Sequence, residues 1–163
     1  MNTIWAPWRM EYIQKEPLSG CLFCRKYSEG RDEENYILHR SGLSFVLLNL
    51  YPYNNGHLMI APKRHVGALT ELREEEMCDM MGLVQKGVRV LSATCRPEGF
   101  NIGLNLGSVA GAGIIDHIHI HVVPRWQGDT NFMPVLAETK VMPQHLKKTF
   151  DTLLPGFEAD ETK

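Results

Sequence analysis

The sequence predicts an α+β fold, and three observations carry that prediction. Phe45 to Ile60 contains two short apolar runs separated by YPYNNG, the pattern of an antiparallel strand pair closed by an Asn-Gly reversal. From Leu69 the apolar period lengthens to that of a helix. Beyond Gly99 it shortens again to alternation, in FNIGLN at 100–105 and HIHIHVV at 117–123. Strands that alternate with few helices, without a repeated strand-helix-strand unit, make an α+β layer fold of antiparallel strands and two helices.

Each element follows from its residues. Ile4 to Tyr12 is aromatic-rich and interrupted by Pro7, so it lies across the domain or a partner and begins no regular core helix. Arg25 to Asn35, with Gly30 and the acidic run 32–34, reads as a solvated connector. Phe45-Val46-Leu47-Leu48 is a buried strand ending at Asn49, and His57-Leu58-Met59-Ile60 is its partner, stopped at Pro62. The long helix carries Leu72, Met80, Val84, Val88 and Leu91 at helical spacing, with Leu69, Met77 and Met81 beside them. Its acidic start and later Lys86 and Arg89 suit the helix dipole, its methionines read as gap-filling core, and Pro97 to Gly99 ends it. GSVAGAG at 107–113 is a flexible loop, and a second helix spans His145 to Leu154, between Pro143 and Pro155-Gly156. With 163 residues and 44% hydrophobic content the chain makes one substantial core, so one domain over 1–163 is expected.

Composition excludes several classes. A formal charge of −2 gives no global basic surface for long nucleic acid, although a small anion could still find a local site. No run approaches the roughly 18 apolar residues of a membrane span, and MNTIWAPWRMEYI lacks the layout of a signal peptide, so no membrane partner and a cytoplasmic location are expected. Four cysteines are too few for a disulfide scaffold here. Cys78 and Cys95 have no companion and default to structural positions, whereas Cys21-Leu22-Phe23-Cys24 is a CxxC, consistent with a redox pair, half a metal site or two inert thiols.

The sharpest feature is HIHIHVV, which spends three of seven histidines in five positions. On a strand, His117, His119 and His121 share one face and Ile118, Ile120 and Val122 the other. A single histidine there could fill a polar sheet surface. Three in register would carry the desolvation cost of an unpartnered imidazole three times, so the row points to chemistry. All three could bind one metal, but same-face neighbours are about 7 Å apart along a strand, which makes convergence awkward. Nucleophilic catalysis at phosphorus fits better: a neutral imidazole attacks near pH 7 and its phosphoramidate is labile.

The pattern His, apolar, His, apolar, His and two further apolar residues, running into Pro124-Arg125-Trp126, resembles the signature of the histidine triad (HIT) superfamily of nucleotide hydrolases and transferases. LLNLYPYNNGHLMIAPKRH, at 47–65, resembles its nucleotide-binding strand pair, and the likeness covers about residues 18 to 125. IWAPWRMEYI, the AGAG loop and GDTNFMPV look like its Fhit-like and bacterial diadenosine tetraphosphate phosphorylase branch. The resemblance implies a HIT-like fold, an antiparallel sheet of about five strands with two main helices, flanked by extensions at 1–17 and 126–163. It implies His119 as the nucleophile toward the α-phosphorus of a nucleoside polyphosphate, His121 as proton donor to the departing or bridging oxygen, and His117 as holder of the array and its tautomers. The attacking nitrogen must then be unprotonated while its ring partner donates to a backbone carbonyl.

By the same resemblance Asn49 contacts the ribose and Asn105 the sugar or phosphate, while the loop residues Gly107, Ser108, Gly111 and Gly113 offer backbone donors to phosphate. His57 matches a nucleotide-proximal position; ligand contact and sheet packing remain equally open for it. Family members with this cysteine pair imply structural zinc held by Cys21, Cys24, His65 and His117. Relatives carry a Gln and a Ser or Thr just ahead of the triad, where this chain has Gly113-Ile114-Ile115-Asp116. The family also implies a homodimer through the long helix and an adjacent strand. His39 and His145 read as surface residues, and Trp5, Trp8 and Trp126 as packing, subunit contacts or adenine-stacking residues.

The function expected is cleavage of dinucleoside polyphosphates through a nucleotidyl-histidine, with diadenosine tetraphosphate phosphorolysis favoured and Arg125 or Lys63 available to attract the second anion. Asymmetric hydrolysis and adenylated-amine hydrolysis use the same strand. A nucleotide-binding regulator without turnover would label itself and not release; a metal-dependent hydrolase using the triad as ligands would lose activity on chelation.

Overall fold

The computed structural model describes residues 20–129 and 144–159. The expectations for Ile4 to Tyr12, including Trp5 and Trp8, and for most of GDTNFMPV lie outside them. Five strands form one antiparallel sheet in the order β1-β2-β3-β5-β4: β1 (Ile37–Arg40), β2 (Ser44–Leu48), β3 (Leu58–Pro62), β4 (Gly99–Leu104) and β5 (Ile120–Arg125). The expected strand pair is present as β2 and β3, in register from Ser44 opposite Pro62 to Leu48 opposite Leu58. β1, whose four residues ILHR are too few to show a period, adds an edge strand.

Among the described residues four helices accompany the sheet: α1 (Leu22–Ser28), α2 (Asp32–Asn35), α3 (Glu74–Cys95) and α4 (Leu146–Glu158). Val46, Leu48, Leu58, Ile60, Ile120 and Val122 pack from one face of the sheet against Met80, Leu83, Val84 and Leu91 of α3 and Phe150, Leu153 and Phe157 of α4. α4, within the expected C-terminal extension, is thus part of the core. The alternate residues Phe45, Leu47, Met59 and Ala61 face the other way and cluster with Phe23 of α1 and Ile37. A sheet covered on both faces explains why β2 and β3 are buried throughout rather than alternating in exposure.

Several expectations change. Arg25 to Asn35 is largely exposed, as expected, but it is not an irregular connector: it holds the end of α1 and all of α2, and Lys26 and Asn35 are buried. Lys26 Nζ donates to Asn35 O and Oδ1, at 3.2 and 3.3 Å, which gives the buried ammonium its acceptors. The long helix starts at Glu74, not Leu69, after a 3-10 turn at Leu69–Glu71. Glu76 sets the boundary by accepting the Arg73 backbone N–H at 2.9 Å. Of the helix methionines only Met80 is core, since Met77 and Met81 are 41% and 51% exposed.

α4 runs through Pro155 to Glu158 rather than stopping at Leu154. Burial of Phe157 offsets the lost N–H, and Gly156 permits close approach to α3: a Cβ there would lie 2.7 Å from Val90 Cγ1. β4 is an edge strand with Ile102 and Leu104 exposed. Among the described residues no helix is long and apolar enough to cross a membrane.

Candidate active site and metal centre

The histidine row is only partly strand. β5 begins at Ile120, so His117, Ile118 and His119 form an extended lead-in. The ladder between β3 and β5 ends at Ile60 opposite Ile120, and the lead-in bonds otherwise: Ile118 N–H donates to Val66 O at 2.7 Å, and His117 Nε2 donates to Pro62 O at 2.8 Å. The alternation survives. Phe23 packs against the rings of both His117 and His119, with centroids 5.1 and 4.9 Å away, and His119 lies 4.8 Å from His121.

Ring nitrogens divide the row in two. Because the Pro62 carbonyl can only accept, His117 Nε2 carries its proton and Nδ1 presents a lone pair. That lone pair faces Cys21 Sγ at 3.2 Å and Cys24 Sγ at 3.6 Å, and Cys24 Sγ is 3.4 Å from His65 Nδ1. All four ligand atoms lie within 4.8 Å of one another. Bond lengths of about 2.0 Å to nitrogen and 2.3 Å to sulfur put the edges of a tetrahedral zinc site at roughly 3.3–3.8 Å, so these residues fit a metal ion. Cys21, Cys24, His65 and His117 therefore form a candidate metal site of two sulfurs and two nitrogens. His119 and His121 are not in it. Burial, and secondarily the neighbouring Cys21, push the Cys24 thiol up to about 11, as expected of two thiols pressed together without a cation.

His119 turns the other way. Its Nδ1 donates to the His117 carbonyl at 2.9 Å, so in the neutral ring Nε2 is unprotonated. Burial holds its pKa below the usual histidine value, favouring that neutral form. The tautomer of His121 is set from farther off. Tyr53 N–H donates to His57 Nδ1 at 3.0 Å, and Asn49 Nδ2 reaches the same nitrogen at 3.3 Å. Neutral His57 therefore carries its proton on Nε2 and donates it to His121 Nδ1, 2.9 Å away, which leaves the His121 proton on Nε2. Burial and the adjacent His119 lower the His121 pKa to about 4. The site can thus present an unprotonated imidazole nitrogen beside an imidazole N–H donor, the pair needed for attack on phosphorus with hydrogen bonding to a departing oxygen.

His57, buried to 1% exposure, is a partner of His121 and not mere sheet filling. Tyr53 escaped sequence reading because its contribution is a backbone N–H and a ring lying 4.7 and 5.8 Å from His57 and His121. Asn49 turns its amide to His57, while its Oδ1 accepts Tyr51 N–H at 2.9 Å. Asn105 follows β4, one residue beyond the Leu104–Ile120 pair and so level with His119. Gly107, Ser108, Gly111 and Gly113 form the next loop, with left-handed Gly107 and Gly111 (φ 81° and 89°) bracketing a 3-10 turn. It leads directly into the histidine lead-in.

The two expected anion-attracting residues are committed elsewhere. Arg125 clamps Asp129 through Nε and NH2 at 2.6 and 2.8 Å and Asn101 through NH1 at 2.7 Å, whereas Lys63 Nζ donates to Gly42 O at 2.8 Å. The Trp126 indole N–H donates to Cys95 O at 3.3 Å, a packing role. His145 is exposed before α4, as expected, but His39 is half-buried in β1, 6.4 Å from the Phe157 ring. Cys95 packs against the core, and Cys78 is exposed rather than structural.

Comparison with known proteins agrees with this geometry. Residues 31–128 match the HIT domain. An AP-4-A phosphorylase of Mycobacterium tuberculosis is 41% identical over 157 residues, spanning 91% of this chain and 80% of the relative. A bis(5'-nucleosyl)-tetraphosphatase [asymmetrical] of Schizosaccharomyces pombe is 32% identical over 108 residues, 66% of this chain and 57% of that protein. Among solved structures, a zinc-bound histidine triad family protein from Mycobacterium smegmatis superposes with a TM-score of 0.69 at 25% identity, covering 85% of this chain and 93% of the other. The matched segment carries the strand pair, the glycine loop and the whole histidine row, and the chain belongs to the HIT domain family.

Proposed function

We propose that the protein is an enzyme that cleaves dinucleoside polyphosphates at the α-phosphorus through a nucleotidyl-histidine, with orthophosphate as the acceptor. The observation that carries this reading is the His119 Nδ1 bond to the His117 carbonyl, which leaves Nε2 as a lone-pair nucleophile next to the His121 donor. The Nε2 pair forms a bond to the α-phosphorus, the bond to the bridging oxygen breaks, and the departing ATP takes its electrons. Orthophosphate oxygen then attacks the same phosphorus, the P–N bond breaks back onto Nε2, and ADP is released. A departing polyphosphate needs a hydrogen bond but no full proton, which suits a neutral His121; a departing amine would need the proton itself. This argues against adenylated-amine hydrolysis. The similarity to an AP-4-A phosphorylase across 91% of the chain supports the choice of acceptor.

Asn49, Asn105 and the loop carrying Gly107, Ser108, Gly111 and Gly113 are assigned to the nucleotide, with backbone N–H groups in place of the missing Gln and Ser/Thr side chains. His57 is the positioning residue for His121. Zinc is the metal proposed for Cys21, Cys24, His65 and His117; with four protein ligands it would supply rigidity and hold no activated water. The exposed β4 edge and the outward Met77 and Met81 of α3 support a homodimer through those elements. We read 1–163 as one cytoplasmic domain. Product analysis with diadenosine tetraphosphate decides the acceptor: phosphate-dependent ADP plus ATP is expected, and equal AMP and ATP at a rate independent of phosphate would transfer the proposal to asymmetric hydrolysis, the activity named for the fission yeast relative.

A further inference from the structure

The four residues ahead of the histidine row, where the expected Gln and Ser/Thr are missing, end in an aspartate that lies against the metal cluster. His65 directs Nδ1 at Cys24 Sγ, 3.4 Å away, and on its far side Nε2 is 4.0 Å from Asp116 Oδ2. The arrangement is set by the backbone. Gly67, two residues after His65, lies so close to the 115–116 backbone that a Cβ would come within 3.0 Å of Ile115 O and 3.2 Å of Asp116 Cα. Ile118 N–H, two residues after Asp116, is bonded to Val66 O at 2.7 Å. Two short segments are therefore clamped side by side, and the pairing of His65 with Asp116 is a consequence of that clamp.

We infer that Asp116 is the outer-shell carboxylate of the metal centre: its Oδ2, 4.0 Å from His65 Nε2, faces the distal nitrogen and closes to hydrogen-bond distance when the cation is bound, so reserving Nδ1 for the cation. The inference rests on the zinc reading of the four-residue cluster. An exposed imidazole such as His65, whose side chain is 51% accessible, can rotate or exchange tautomers, and either change takes the ligand lone pair away from the cluster. A carboxylate facing the distal nitrogen opposes both and makes the ring a better donor. Its charge, beside the cluster, adds to that of two thiolates and would also attract a cation to the site. His117 needs no such partner, because Pro62 O already accepts its Nε2–H.

Zinc affinity of the full-length protein, measured by competition with a chromophoric chelator, tests the inference without reference to turnover. Asp116→Ala should weaken zinc by about 10- to 100-fold, and Asp116→Asn, which keeps an acceptor oxygen but loses the charge, by less. The same Asp116→Ala change in a His65→Ala background should have little further effect, because its route to the metal is gone; a general structural defect would weaken binding equally in both backgrounds. Equal loss in the two backgrounds, or affinity of Asp116→Ala within twofold of the parent, overturns the role of Asp116. A parent protein that binds zinc no better than its Cys21→Ser/Cys24→Ser variant overturns the zinc reading beneath it.

Discussion

The two ends of the histidine row, His117 and His121, are identical in local sequence pattern and opposite in situation. His117 is fully buried, one nitrogen donating to a carbonyl and the other facing two thiols. His121 is half-buried, receives its tautomer from His57 and keeps an N–H on Nε2. The middle residue draws on both ends: His119 bonds to the main chain of His117 and packs against the ring of His121. A period-two repeat specifies which face a side chain occupies, and the partners brought by other elements specify what its nitrogens can do. Here α1 and the Pro62–His65 turn make one end a candidate metal ligand, and the Asn49–His57 loop makes the other a hydrogen-bond donor.

Substitutions should separate the two ends. His119→Asn, at the junction, should lower turnover by about 10⁴-fold or more while leaving nucleotide affinity and zinc content intact, since covalent attack has no substitute. Steady-state rates, equilibrium nucleotide binding and elemental analysis check it together, and turnover within tenfold of the parent would remove His119 as nucleophile. Replacing Cys21 and Cys24 by Ser should abolish zinc and cost roughly 4 kcal/mol of stability, the range in which loss of a metal falls. Denaturant unfolding measures the cost, and nucleotide affinity should change far less than stability.

Arg64→Met, one residue before His65, removes the partner of a buried carboxylate. Arg64 bonds Glu76 at 2.8 and 2.7 Å, and that bond, ahead of the contribution from the Arg73 N–H, holds the buried carboxyl at about 2. Losing the arginine leaves the Glu76 carboxylate without its main partner and should lower stability, which denaturant unfolding measures. In the parent the Glu76 pKa is depressed below its unfolded value, so its contribution is complete above about pH 4.5 and is lost as pH falls toward 2. The variant should show a shallower acid loss over that window.

At the donor end, His57→Ala should reduce turnover by about 10- to 100-fold, because His121 loses the partner that sets its tautomer, with zinc content unchanged. An equal loss of zinc would mean that the two ends are not separable. The smallest effect concerns pH. His121 has a folded pKa of about 4 against 6.5 unfolded, so the unfolded chain takes up a proton that the folded chain refuses, and stability falls as pH drops through that window. His121→Asn should flatten that slope relative to the parent; an unchanged slope would show that His121 is not held neutral.

Much of this was legible in the sequence, for reasons that differ by element. The β2–β3 pair and α3 announced themselves through turn chemistry and long periods. The four candidate metal-site residues were expected from the resemblance, and the structure brings those side chains together; His119, the expected nucleophile, has its Nδ1 on a backbone carbonyl. Illegible parts depended on contacts distant in sequence: α1 and α2 were hidden because Lys26 and Asn35 are polar residues buried by satisfying one another. The end of β5 was misplaced because the Pro62 carbonyl bonds an imidazole in place of a strand partner. Arg125 and Lys63 looked free because Asp129, Asn101 and Gly42 can be matched to them only in three dimensions.

The central claim is that one nitrogen of one residue in the row does the covalent chemistry while the first histidine serves the metal. Acid-sensitive adducts require quenching at alkaline pH, after which peptide mass spectrometry of protein mixed briefly with diadenosine tetraphosphate without orthophosphate locates the bound nucleotide. The account predicts adenylyl on His119, with zinc retained and the adduct discharged as ADP when orthophosphate is added. An adduct on His117 or His121, or turnover that proceeds with none on His119, would contradict it.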